Sequence, residues 1–231
     1  MRKIFGLIFL LSILLVNFLS ATEMKTIAVL DFSNNSIMEK EKYASLTSGL
    51  AEILITELGK VKSLQVVERK KINEIIKEMQ LAQSGLISEE TGVTVGKLLG
   101  AKYLVFGSYM VFDKKIRVDI RIVEVETGLT IKAEEVTNKT SKMFEIIQEL
   151  SEKILKDLDI ELTKEEKNLL KASDTSTEVI NLFSKGLEFE EAGNMEMAKE
   201  YYIKAFKMDK NFKPARKRLK ALLLRQKNNK N

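Results

Sequence analysis

The sequence predicts an α/β fold, a mixed sheet of about five strands flanked by helices and followed by a C-terminal helical module. Between Lys25 and about Asp159, short apolar runs alternate with stretches whose apolar residues recur every three or four positions, the pattern of βα units. From Tyr103 to Thr137, three strand patterns follow one another with no helix between them, so they pair as an antiparallel meander. From Thr163 onward the periodicity is helical.

Arg2-Lys3, an apolar run from Ile4 to Leu19 and Ser20-Ala21 are the parts of a secretory signal peptide, with cleavage after Ala21. The run contains Asn17 and falls short of the ~20 residues that cross a bilayer; an uncleaved membrane anchor is the other reading. Thr26-Ile-Ala-Val-Leu-Asp-Phe32 reads as a strand buried on both faces, broken by Ser33-Asn34-Asn35-Ser36. Ala44, Leu46, Leu50, Ile53, Leu54 and Leu58 give a helix whose apolar stripe covers the sheet and which stops at Gly59. Leu64–Val67 is a second strand, followed by a helix over Ile72, Ile75, Ile76, Met79 and Leu81 that stops at Ser84-Gly85. Ser88, Glu89 and Glu90 open another helix, ended by Gly100.

Tyr103–Phe112 is joined by the tight turn Asp113-Lys114-Lys115 to a strand in which Ile116, Val118, Ile120 and Ile122 alternate with Arg117, Asp119 and Arg121. The apolar parity then slips to Val123 and Val125, which requires a bulge near Ile122-Val123 or burial of both faces. Glu126-Thr127-Gly128 turns the chain into Leu129–Thr137, and Phe144, Ile147, Leu150, Ile154, Leu155 and Leu158 build a closing helix. Thr163 and Glu166 have capping-box spacing, and the small polar stretch Ala172–Thr177 marks a boundary. A helical pair, Glu178–Ala192 and Met195–Met208, meets at Gly193-Asn194, and a last helix opens at Pro214. The expected division is a signal peptide over 1–21, an α/β domain over 25–159, a linker over 160–176, a helical module over 177–226 and a basic tail over 227–231.

The 231 residues include no Cys and no His. An exported chain of this kind forms no disulfides, and it lacks a thiol nucleophile, an imidazole base and the usual zinc or copper ligand sets. Asp31 reads as a cap of a turn or helix and Glu68-Arg69 as a strand-end ion pair, because nothing in the sequence identifies a partner for acid–base work. Gly92-Val-Thr-Val-Gly96 lacks the Gly-Lys-Ser/Thr ending of a phosphate loop. No catalytic, metal or cofactor-binding residue, no cofactor and no small-molecule substrate are predicted, and the chain reads as a non-enzyme. Setting Arg2 and Lys3 aside, 36 of the 38 basic side chains and 33 acidic ones leave a net charge of +3, which with export argues against nucleic acid. No acidic residue follows Asp209, and Arg216, Lys217 and Lys220 mark a basic surface, suited to an anionic membrane or envelope polymer or simply solvated.

The helical pair, with Gly186, Phe189, Gly193, Ala198, Tyr202 and Ala205, resembles a tetratricopeptide repeat, with Lys210 where the closing proline usually stands. The resemblance implies docking of a protein partner, with Phe189 and Tyr202 as contact candidates. A single repeat cannot bury its own faces, so it packs on the preceding domain or on copies of itself. Ile27-Ala-Val-Leu-Asp-Phe32, Leu64-Gln-Val-Val-Glu-Arg69, Gly100-Ala-Lys-Tyr-Leu-Val-Phe-Gly-Ser108 and Val118-Asp-Ile-Arg-Ile-Val-Glu-Val-Glu-Thr-Gly128 together resemble the CsgG family, named for the outer-membrane secretion channel of curli subunits. That resemblance implies an envelope assembly role, since similar domains occur in flagellar, Tol-system and peptidoglycan-synthase-activating proteins.

Two departures bear on function. The channel places membrane-spanning hairpins where this chain has only Asp113-Lys114-Lys115 and Asn138-Lys139-Thr140, far short of the ~9–11 residues each barrel strand needs. The family's lipidated cysteine is also missing. Ser33, Asn34, Asn35 and Ser36 occupy the place of the channel's constriction loop and are candidate partner contacts. The expected function is a non-catalytic, non-lipidated periplasmic scaffold or adaptor that forms homo-oligomers or docks an outer-membrane component, with peripheral outer-membrane association. The alternatives are a subunit or periplasmic ring of a curli-type secretion channel and a carboxylate-dependent envelope hydrolase.

Overall fold

The computed structural model describes residues 24–79, 88–171 and 175–228. The signal-peptide reading with Ala21, the helix end at Leu81 to Gly85, part of the Ala172–Thr177 boundary and residues 229–231 of the basic tail lie outside them.

In β1 (Lys25–Asn34), the consecutive residues Ile27, Ala28 and Val29 are all fully buried, which a strand achieves only with both faces covered. It lies between two parallel neighbours, β2 (Leu64–Val66) and β3 (Tyr103–Phe112). The antiparallel strands β4 (Lys115–Glu124) and β5 (Leu129–Lys139) extend the sheet beyond β3, giving the order β2-β1-β3-β4-β5. The sheet is therefore the mixed five-stranded one that the pattern predicts.

Asp113 and Lys114 join β3 to β4 with φ of 43° and 59°, the left-handed pair of a type I′ hairpin, whose twist matches that of its strands. Gly107 in β3 sits where a Cβ would lie 2.0 Å from the Asp119 carbonyl oxygen of β4, so the two backbones approach too closely for any side chain. Both explanations of the parity slip hold: the β4–β5 register shifts between Ile122 and Val123, and both residues are fully buried.

Helix α1 (Leu46–Leu58) follows a short 3-10 turn, Glu41–Tyr43, and packs against β1. Tyr109 of β3 donates its hydroxyl to the Tyr43 carbonyl at 2.6 Å, and burial pushes that hydroxyl up to about 12. Helices α2 (Arg69–Glu78) and α3 (Glu89–Leu99) pack on each other and on β1. Ser88 caps α3 by accepting from the Thr91 amide, and left-handed Gly100 closes it, as the sequence signals require.

Helix α4 (Met143–Asp157) covers β4 and β5, and α5 (Lys164–Leu170) opens with the full Thr163–Glu166 capping box. The last helices are α6 (Thr177–Glu191), α7 (Met195–Met208) and α8 (Lys213–Asn228). Their apolar faces join the same core as the sheet. Phe183 of α6 meets Phe212 edge-on at 5.3 Å, and Phe212 meets Phe144 of α4 at 6.5 Å.

Candidate functional site

In open sheets with parallel strands, ligands and partners gather beyond the carboxyl ends of those strands. Here that end carries Asp31 from β1, the loop after Asn34, and Arg69, which opens α2 just past β2. Arg69 is only 3% exposed. It donates through both terminal nitrogens to Asp31, with Nη2 to Oδ2 at 2.8 Å, and to Glu191 at the end of α6 through Nε at 3.1 Å and Nη2 at 2.7 Å. Burial by itself would lower the Arg69 pKa, but the Asp31 charge and hydrogen bonds, followed by those of Glu191, hold it above its ordinary value.

Two sequence readings are corrected by this geometry. Asp31 does not cap a turn or helix; its carboxylate is bound to Arg69. Arg69 does not pair with its neighbour Glu68, which sits in an extended N-cap conformation and instead accepts from Lys217 of α8 at 3.0 and 3.1 Å. Adjacent residues at a strand-to-helix junction point in different directions, so partners distant in sequence decide the pairing.

A second buried cluster lies between α1 and the C-terminal helices. Glu52 accepts from Arg218 at 3.1 and 2.7 Å, and Arg218 also lies 3.6 Å from Glu190. Glu190 in turn accepts from the Tyr202 hydroxyl at 2.7 Å and from Arg225 at 3.3 Å. Burial, then the Glu190 charge, pushes the Tyr202 hydroxyl far above its ordinary range, so it serves as a donor. Both clusters tie the sheet side of the molecule to α6 and α8, and their carboxylates are occupied by guanidinium groups.

The sequence-predicted contact residues are placed unevenly. Ser36 is buried and accepts from the Val111 amide at 3.0 Å, Asn34 bonds the Ser36 amide and the Lys40 carbonyl, and the Asn35 amide donates to the Tyr109 carbonyl. The Ser33–Ser36 segment is thus fastened to β3, with only Asn35 exposed. The free part of the loop is the next two residues, Ile37 at 90% and Met38 at 76% exposure. Sequence reasoning missed them, although an apolar pair inside a polar strand-to-helix loop was the available signal.

Tyr202 is fully buried between α6 and α7, its ring against Gly186 where a Cβ would lie 2.5 Å away, so it offers no surface to a partner. Phe189 is half-buried and stacks on Tyr201 at 5.3 Å, with Lys204 over the Tyr201 ring at 4.9 Å. Arg216, Lys217 and Lys220 are all exposed on α8. A small cleft of about 250 Å³ lies between α1 and the edge strand β2, lined by Ile55, Thr56, Leu64 and Val66 and by the Glu68–Lys217 pair. Among the described residues, no cluster of acidic side chains is placed to hold a metal ion, and no helix is long and apolar enough to cross a membrane.

Residues 12–117 match the family model described as curli production assembly/transport component CsgG, a span that ends in β4. Solved structures offer distant likenesses. The LpoB C-terminal domain from Salmonella enterica is 12% identical over 50% of this chain and 83% of its own, with a TM-score of 0.37. A PelC dodecamer from Paraburkholderia phytofirmans is 12% identical over 58% and 88%, at 0.39. TolB from Acinetobacter baumannii is 14% identical over 59% and 28%, at 0.40. A search of curated proteins found no match.

Proposed function

We propose that this chain is a CsgG-like scaffold of the bacterial cell envelope, acting in the periplasm by docking proteins and assembling with copies of itself. The observation that carries the reading is the family match over residues 12–117, which spans β1 to β3 and the start of β4. The arginine-bound carboxylates support it as well: Asp31, Glu191 and Glu52 are each bound to an arginine that fixes the architecture.

In this reading Asn35, Ile37 and Met38 meet one partner at the carboxyl end of the parallel strands. The α6–α7 hairpin, repeat-like in Gly186, Ala198 and Ala205, presents the Phe189–Tyr201 stack to another. The channel-subunit alternative is disfavoured by two short connections. The β3–β4 turn has two residues and the β5–α4 connection is the turn Thr140–Lys142, where a membrane hairpin needs two strands of about 9–11 residues each.

A photo-crosslinking residue at position 38 in growing cells tests the docking claim. The reading expects crosslinks to envelope proteins that disappear in Ile37→Asp, with the variant still folded. Crosslinks only to cytoplasmic proteins, or the same crosslinks in Ile37→Asp, would overturn it.

A further inference from the structure

We infer that the outward face of α8 docks on an anionic phospholipid surface. At about 100° per residue, Lys213, Arg216, Lys217, Lys220, Leu223 and Leu224 fall on one arc of about 120°. All six are exposed, while Ala215 and Leu222 are buried in the core on the other side of the helix and Arg218 turns inward to Glu52. Lys217 reaches Glu68, whereas Arg216 and Lys220 have no ion-pair partner among the described residues. No neutralising partner exists along the helix either, because the chain from Lys210 to its end holds nine Lys and Arg residues and no Asp or Glu.

The occupant is identified by what accompanies the cations. Leu223 is 47% and Leu224 53% exposed, on the same arc and about 16 Å along the axis from Lys213. A soluble polyanion would use the cations and leave the leucines in water. A headgroup layer over acyl chains uses both, with phosphates at Arg216 and Lys220 and the two leucines at the acyl boundary. The helix is held rigidly for this contact by the Arg218–Glu52 and Arg225–Glu190 pairs behind it.

The inference rests on the envelope location proposed above, but its test does not. The purified full chain is sedimented with vesicles of phosphatidylcholine alone and of phosphatidylcholine mixed with phosphatidylglycerol, at low and high salt. Wild type should prefer the phosphatidylglycerol vesicles, and salt should weaken that preference. R216Q/K220Q should reduce partition roughly thirty-fold, at the usual contribution of a surface cation near anionic lipid, and L223S/L224S should reduce it while leaving the salt dependence. Any binding by the apolar N-terminal segment is common to all variants and cancels in the comparison. Equal partition of wild type and R216Q/K220Q, no preference for phosphatidylglycerol, or binding to soluble polyphosphate but not to vesicles would overturn the inference. Each such result leaves the protein-docking proposal standing, since that is decided by crosslinking in cells.

Discussion

Arg69 shows how much of the architecture rests on single side chains whose partners lie far away in sequence. It binds Asp31, 38 residues before it, and Glu191, 122 residues after it. Arg69→Met should cost about 2 kcal/mol in a denaturant titration, below the 3–5 of a fully buried pair because Asp31 and Glu191 keep over a third of their side-chain surface in water. Glu166 makes a pH-dependent contribution. The Lys62 and Thr163 amides and the Thr163 hydroxyl donate to its carboxylate and hold its pKa below the ordinary value. A depressed folded pKa gives stability that is present above the unfolded value and lost as the pH falls through the folded one. Glu166→Gln should therefore be less stable than wild type at neutral pH, with the difference shrinking on acidification; a pH-independent difference would contradict this origin. Glu57 has the opposite sign. Burial, opposed by Lys60, raises its pKa, so its contribution weakens as pH rises through that window.

At the level of elements, the β3–β4 hairpin combines a strained turn with a close backbone contact. Lys114 is non-glycine at φ 59°, so Lys114→Gly should stabilise by about 1 kcal/mol, giving the Asp-Gly pair that type I′ turns favour. Gly107→Ala should destabilise by about 3 kcal/mol, because its methyl would meet backbone rather than a movable side chain. Paired thermal melts of the two variants check both signs. Strand and helix positions, the bulge at Ile122-Val123 and the caps at Ser88, Gly100 and Thr163 were legible in the sequence because each follows from local pattern or backbone chemistry. The exposed Ile37-Met38 pair shows in the sequence only as an apolar pair in a polar loop, since periodicity identifies faces of regular elements and says nothing about which loop residues are fastened.

Across the whole molecule, the feature hidden from the sequence is that α1 is buried on every side. Its apolar stripe reads as one face on a sheet, a pattern that assigns no partner to Gly49 or Glu52. In the fold Gly49 faces Ser184 of α6 and Glu52 faces Arg218 of α8, so α6 and α8 are walls of the core. Gly49→Ala would place a methyl 1.8 Å from the Ser184 hydroxyl oxygen and should cost about 2 kcal/mol as α1 and α6 separate. Because the core is continuous, unfolding should be one transition, with aromatic and backbone signals coinciding in wild type and in Gly49→Ala. Two separate transitions would show that the helices fold independently of the sheet.

The envelope-scaffold reading is tested most directly by crosslinking the full chain, epitope-tagged at its C-terminus, in growing cells and then fractionating them. The account predicts that the protein is found in the envelope fractions, in covalent assemblies heavier than one chain that contain Ile37-dependent partners. A monomer recovered from the cytoplasm, without crosslinked partners, would contradict it.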